Sequence, residues 1–324
     1  MSKKTIIILL VVLVLIGGGY FVWHRKSGSD RPIRIGYLPI ASDASFFVAI
    51  ERGFFTNQGL KVAPVKFETS NQVLEALVAG RIDAAAPIGL EAALTLEANT
   101  PGQFQIVEMT AATAETKVHR IEVKPQSAIK TLADLRGKKI GTFPGSQMLV
   151  FLKLILGRYF DAERELQIIQ LAPPLQAQAL ETGQVDAIFC LEPTCTLLES
   201  RGIGRTISVN PLFEFIQQPF PTAASVVSTR LAKERPDVID RIAAGLRLAH
   251  DYLKTNPNDA ALTVPKYAPI DAALAPRISL YDYWNVDAVD RNAVQRLADL
   301  YADKGILTKR ISTASLYATP KAVR

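Results

Sequence analysis

The sequence predicts an α/β fold built as two lobes with a ligand cleft between them. Two echoes and one alternation carry this expectation. Ala76–Ala84 reads ALVAGRIDA and Ala179–Ala187 reads ALETGQVDA, with Ala, Leu, Gly, Asp and Ala in register. Upstream, Arg34–Pro39 (RIGYLP) is echoed by Lys139–Pro144 (KIGTFP) at almost the same spacing. Around each echo short apolar runs alternate with helical stretches, the pattern of an α/β unit. Two copies are too few for an array, which needs at least three, so they read as a facing pair of lobes. In open parallel sheets ligands bind beyond the carboxyl ends of the strands. That rule selects four loops: 39–45, 87–91, 144–148 and 191–196.

Taken in order, the chain of 324 residues is long enough for two ordinary cores. At 48% hydrophobic and 21% charged it has a globular composition. The net charge of +6 is spread out, and no basic stripe interleaved with aromatics points to nucleic acid. Thr5–Trp23 carries no charge, and as a helix it would span about 28 Å. A signal peptide cut after Gly19 is one reading. Tyr20-Phe21-Val22-Trp23 and the following Arg25 and Lys26 favour a retained membrane anchor. No Cys lies here to start a lipid-anchored chain, and residues 1–30 are taken as this segment and a linker.

Ile33–Leu38 reads as a strand, and Ser42 or Asp43 as the N-cap of a helix carrying Phe46, Phe47 and Ile50. A strand 61–67, a helix 71–79 capped by Thr69-Ser70-Asn71, a strand 84–86 and a turn at Pro87-Ile88-Gly89 follow. A helix 90–98 and a strand 104–109 complete this part. The run 117–124 is extended, since Pro125 bars a helix. Ser127–Leu135 is expected to be a short helix closed by Gly137. Strands 138–143, 167–171 and 187–191 alternate with helices 146–156 and 173–182. Ala223–Ser228 is the return strand. From Pro236 a helix carries Val238, Ile242, Leu246, Ala249 and Leu253 on one stripe. Residues 290–304 form another, stopped by Gly305. Lobe one is therefore 31–116 plus 229–324 and lobe two 125–221. The runs 117–124 and 222–228 are the expected hinge strands.

Catalytic patterns are missing. No H-E-x-x-H, G-x-S-x-G or phosphate-loop motif occurs. His119 on the hinge run and His250 on the helix stripe read as structural. Cys190 and Cys195 read as buried free thiols, with a disulfide open in an oxidising compartment, and two thiols alone make no zinc site. Tyr281, Tyr283 and Trp284 read as core, and Glu91 as a partner of its helix dipole. No catalytic residue, metal or cofactor is expected.

Several pieces in this order resemble one family. Leu132–Gly141 (LADLRGKKIG) with Pro144-Gly145-Ser146 is similar to the lobe-two opening of periplasmic solute-binding proteins of ABC importers. The group in question is the nitrate/sulfonate/taurine/bicarbonate family, including thiamine-pyrimidine-precursor binders. Ile35-Gly36-Tyr37, Glu51–Phe55 (ERGFF) with Gly59-Leu60, Ala76–Ala84, and Gly183–Ala187 with Glu192-Pro193 resemble its other elements. Leu191 stands where that family often has an aromatic residue before the E-P pair. The resemblance implies a two-lobed type II periplasmic binding protein fold and a monomer that is no enzyme. It would bind a small solute outside the cytoplasmic membrane and deliver it to ABC permease subunits. A ligand-binding sensor module and a biosynthetic enzyme on the same fold, such as a pyrimidine-precursor synthase, are the alternatives.

The expected ligand-binding residues are Ser42, Asp43, Ser45, Gly89, Gly145, Ser146, Gln147 and Glu192. Gly145 and Ser146 open a helix whose free N–H groups suit an anionic group. The four loops nevertheless hold Asp43, Glu91 and Glu192 and no Lys or Arg. Carboxylates only accept hydrogen bonds. The expected solute therefore carries an N–H donor or a cation, with Glu192 as its acceptor, and an amino-bearing heterocycle or zwitterion fits better than nitrate, bicarbonate or a simple alkanesulfonate.

Overall fold

The computed structural model describes residues 31–321. The run Thr5–Trp23, expected to be an anchor or signal segment, lies outside them. No helix among the described residues is long and apolar enough to cross a membrane.

Eleven strands among the described residues form two sheets. They are β1 (Ile33–Tyr37), β2 (Val62–Lys66), β3 (Ala84–Gly89), β4 (Phe104–Ala112), β5 (His119–Val123) and β6 (Lys139–Thr142), then β7 (Gln167–Gln170), β8 (Ala187–Leu191), β9 (Arg205–Val209), β10 (Phe220–Ser228) and β11 (Asp282–Asn285). Sheet one has the order β11-β4-β10-β3-β1-β2 and sheet two β7-β6-β8-β5-β9. The longer helices are α1 (Ala44–Glu51), α2 (Ser70–Val78), α3 (Leu90–Asn99), α4 (Ser146–Leu156), α5 (Pro173–Thr182), α6 (Pro236–Thr255) and α7 (Arg291–Asp303).

The sequence echo is a structural echo. β1 runs parallel between β2 and β3, and β6 runs parallel between β7 and β8. Each trio is flanked by an antiparallel strand, β10 beside β3 and β5 beside β8. The repeated Asp closes the same ring twice. Arg34 N donates to Asp83 Oδ2 while Asp83 N donates to the Arg34 carbonyl. Lys139 and Asp186 exchange the same two bonds. The repeated glycine has one cause in both copies, a close approach by a branched side chain. A Cβ on Gly36 would lie 2.8 Å from Ile82 Cδ1, and one on Gly141 would lie 2.5 Å from Ile188 Cδ1. Gly80 and Gly183, at φ of 68° and 81°, end α2 and α5 in the left-handed region.

The chain leaves sheet one after Ala112, enters β5 at His119, and returns between Val209 and Phe220. The runs 117–124 and 222–228, expected as hinges, contain β5 and most of β10, each of which pairs within a single sheet. The passages between sheets are 113–118 and 210–219.

Three local expectations are corrected. The turn at Pro87-Ile88-Gly89 is strand, because β3 continues to Gly89 against β10. Pro87 has no N–H for the ladder, and the register of β10 shifts nearby, between Ala224 and Val226. Ser127–Leu135 holds only a 3-10 turn at Leu132–Leu135, closed by a Thr131/Asp134 capping box. Asp43 precedes α1 without a side-chain capping bond. Its carboxylate instead accepts from Leu38 N (2.9 Å) and Ser42 Oγ (2.9 Å), bracing the exit of β1.

The main core includes Phe46 and Phe47 of α1 and Ile242 and Leu246 of α6. A satellite core on sheet two gathers Leu180, Val185, Ile188 and Leu198 around Cys190 and Cys195. Those two thiols, read as free, are joined as a disulfide. Two buried sulfurs five residues apart, on a strand and the helix after it, meet across the Glu192-Pro193 corner.

Candidate functional site

The carboxyl ends of β1, β3, β6 and β8 converge on one narrow, nearly shut cleft between the sheets. Five of the expected residues line it: Ser42, Gly89, Gly145, Ser146 and Gln147. Three do not. Asp43 is fully buried behind the wall, where burial pushes its carboxyl well above the usual range against the two hydrogen bonds it accepts. Ser45 is buried within α1, and its Oγ has no partner. Glu192 faces inward to Arg120, with Nη2 2.6 Å from Oε1, and also accepts from Thr196 N and Oγ1. Burial raises its carboxyl and Arg120 opposes that. With both oxygens engaged inside lobe two, Glu192 is no acceptor for a solute in this structure.

The cleft closes by direct contact between lobes. Ser146 Oγ donates to Glu91 Oε2 at 2.7 Å and lies 3.4 Å from Asn71 Oδ1. Gln147 Oε1 accepts from Glu91 N at 3.1 Å. The first turn of α4 is thus seated on the first turn of α3. Gly89 permits this approach, since a Cβ there would lie 2.4 Å from Gln147 Oε1. Some of the backbone donors at these helix starts are already used. Gly89 N donates to Ser70 Oγ at 2.9 Å, and Gly145 N to Gln170 Oε1 at 2.8 Å. Glu91, read from sequence as a dipole partner, is the lobe-one half of this contact. Burial raises its carboxyl, offset by the hydroxyls of Ser146 and Thr95.

Five polar lining residues escaped the sequence reading: Ser70, Asn71, His119, Thr222 and Tyr281. Ser70 and Asn71 were absorbed into a cap; the side chain that caps α2 is Thr69, which accepts from Gln72 N. His119 is 1% exposed, and its Nδ1 has no partner. Burial holds the imidazole down to about 3, so it is neutral at physiological pH. Its ring lies 5.6 Å from that of Tyr281, edge to face. Tyr281 was read as core and is both buried and part of the wall. Tyr283 donates to the Ala41 carbonyl, and His250 pairs with Glu108, so both are structural. Leu38, Phe143, Met148 and Leu191 supply apolar wall.

A family model described as NMT1-like family matches residues 26–265. The chain belongs to the NMT1-like family. Among curated relatives, a Brucella abortus protein named only as a binding protein is 28% identical over 75% of this chain and 73% of its own length. A Bacillus subtilis protein whose name assigns it aliphatic sulfonates is 28% identical over 71% of this chain and 68% of its own. Among solved structures, the alkanesulfonate-binding protein SsuA from Xanthomonas axonopodis pv. citri, bound to MOPS, superposes with a TM-score of 0.72. It is 23% identical, covering 89% of this chain and 98% of that one, and the likeness establishes the two-lobed fold of this NMT1-like chain. Both of these curated relatives carry names of binding proteins.

Proposed function

We propose that this NMT1-like protein is an extracytoplasmic solute-binding component of an ABC importer. It takes up a small molecule in the cleft and presents it to the permease. The observation that carries the reading is the cleft itself, walled by strand-exit loops of both sheets and shut by Ser146 and Gln147 on Glu91. The names of the relatives support the class of function, in the periplasm for the SsuA of Escherichia coli. Binding at residues 42, 89 and 145–147, with rotation about passages 113–118 and 210–219, belongs to the same proposal. A solute that binds only the folded chain raises its melting temperature by mass action. A thermal-shift screen of the full-length chain against sulfonates, nitrate, bicarbonate, amino acids and pyrimidines is expected to yield at least one stabilising solute. A flat response across all of these classes overturns the reading.

Within this proposal the run Thr5–Trp23 tethers the protein to the outer face of the cytoplasmic membrane. Full-length protein is then expected in the membrane pellet with its first residues intact. A soluble chain beginning near Tyr20 would show a cleaved signal peptide instead.

A further inference from the structure

A second contact between the lobes lies at the corner that follows β8. Leu191, Glu192, Pro193 and Thr194 lead from Cys190 to Cys195, and all four are buried. The Glu192 backbone is held from two sides. Its N–H donates to the Val118 carbonyl, in the passage 113–118, at 3.2 Å, and its carbonyl accepts from Ala41 N at 3.1 Å. Ala41 belongs to lobe one, so the second of these bonds crosses between the lobes. Thr196 Oγ1 lies 3.3 Å from the Arg277 carbonyl, also of lobe one. None of these atoms takes part in the seating of Ser146 and Gln147 on Glu91.

Both ends of the Ala41–Glu192 bond are fixed within their own lobes. In lobe one, the Ala41 carbonyl accepts from Tyr283 Oη at 2.9 Å. In lobe two, the Cys190–Cys195 disulfide bridges the base of the corner, with the two Cα atoms 5.4 Å apart. The Glu192 carbonyl therefore sits on a small covalent ring. Ordering backbone costs conformational entropy, and a cross-link that has already ordered the corner removes that cost from the docking step. Both cysteines are wholly buried in the satellite core, and neither lines the cleft. The bridge thus acts through the shape of the corner and not by touching a solute.

We propose that the Cys190–Cys195 disulfide is a strap for lobe closure: it presets the corner 191–194 so that the Glu192 carbonyl receives Ala41 N when the lobes shut. This rests on the lobe rotation stated under Proposed function, and adds to it one interlobe bond and the residues that position it. Without the bridge the corner has more shapes open to it. The interlobe bond then forms less often, and the open arrangement gains population. An Ala41 amide released from Glu192 meets water, which makes the bond measurable at a single site.

The test is amide hydrogen exchange on the full-length chain without added solute, read at Ala41 by mass spectrometry with residue-level fragmentation. The parent is compared with Cys190→Ala/Cys195→Ala. The Ala41 amide is expected to exchange about tenfold or more faster in the variant, while the amides of β1 and β3 exchange as in the parent. Solution scattering of the variant is expected to give a larger radius of gyration. Equal protection of Ala41 in the two chains overturns the inference. So does faster exchange spread evenly over β1 and β3, which would make the bridge a general support of the fold. Should the variant fail to fold, the folded parent reduced by a dithiol is read in the same way: the dithiol closes to its own disulfide, and Cys190 and Cys195 each gain a hydrogen. Uptake of iodoacetamide at both cysteines of the denatured, unreduced parent also overturns the inference, since no strap would then exist. A flat solute screen counts against the proposed function and does not bear on these readouts.

Discussion

Glu192 and Arg120 form a pair with little water around it: the Glu192 side chain is 0% exposed and that of Arg120 is 9%. Such a pair is held by its own hydrogen bonds, and removing one partner strands the other charge at a cost of about 3–5 kcal/mol. Arg120 also reaches Glu199 at 2.9 Å, but that carboxylate is half-exposed and offers less. Glu192→Gln keeps the bonds to Thr196 in part and leaves the guanidinium without its inner counter-ion. It is expected to lower unfolding free energy by about 2–4 kcal/mol in urea denaturation. The double variant Arg120→Met/Glu192→Leu removes both charges together and is expected to regain most of the loss. A single variant as stable as the parent, or a double variant as poor as the single, would contradict the account. From sequence this glutamate looked like a ligand acceptor because it stands on a strand-exit loop. Its partner, Arg120, is 72 residues earlier and one strand across the sheet, a relation that spacing along the chain does not reveal.

The repeated strand–helix–strand unit is where the sequence was most readable. Periodicity and echo together located β1, β3, β6 and β8 and the helices between them, because each unit is specified by residues within its own repeat: a glycine under a branched side chain, a glycine ending the helix, an aspartate closing the ring. What escaped was set by contacts distant in sequence. β11 is a four-residue edge strand recruited by β4, and Tyr281 reaches the cleft from just before it. His119 and Thr222 enter the cleft from the antiparallel strands that arrive from the opposite sheet, outside the loops that the strand-end rule selects. The two ring-closing aspartates also differ in a testable way. Asp83 is buried among Arg31, Arg34 and Arg230, whereas Asp186 is exposed and holds only backbone. Burial alone would raise the Asp83 carboxyl, but the hydrogen bonds from Arg34 and the charges of Arg31 and Arg34 outweigh it and bring it down to about 2. A carboxyl depressed on folding stabilises fully above its unfolded value near 4, and that contribution is lost as pH falls from about 4 to about 2. Allowing for the partly exposed arginines, it is worth about 1–2 kcal/mol. Asp83→Asn is therefore expected to destabilise at pH 7 by more than Asp186→Asn and to flatten the acid limb between those pH values. Equal effects of the two substitutions would mean that the arginine cluster adds nothing to the backbone ring.

At the scale of the whole molecule, the question is what holds the two lobes together. The side-chain contacts across the cleft are few and polar: Ser146 to Glu91 and Asn71, and Gln147 to the Glu91 amide, beside one backbone bond from Ala41 N to the Glu192 carbonyl. Each net hydrogen bond contributes about 1 kcal/mol, somewhat more where a carboxylate accepts, so the set is worth about 2–3 kcal/mol. That is enough to bias a two-state opening by about 30- to 150-fold, and small enough for the lobes still to part and admit a solute. Ser42 and His119 belong to the wall and not to this latch, so the latch can be cut without touching them. Ser146→Ala/Gln147→Ala removes all three side-chain contacts and leaves the cores untouched, since both residues are only half-buried at the start of α4. The double variant is expected to show a larger radius of gyration than the parent in solution scattering without added solute, and a thermal midpoint within a few degrees of it. Gly89→Ala acts at the same contact from the other lobe: its methyl would have to push the Gln147 amide aside, and it is expected to shift the scattering in the same direction by a smaller amount. If both variants scatter as the parent does, the lobes are held by the passages 113–118 and 210–219 and the buried surface around them, and closure owes nothing to Ser146 and Gln147.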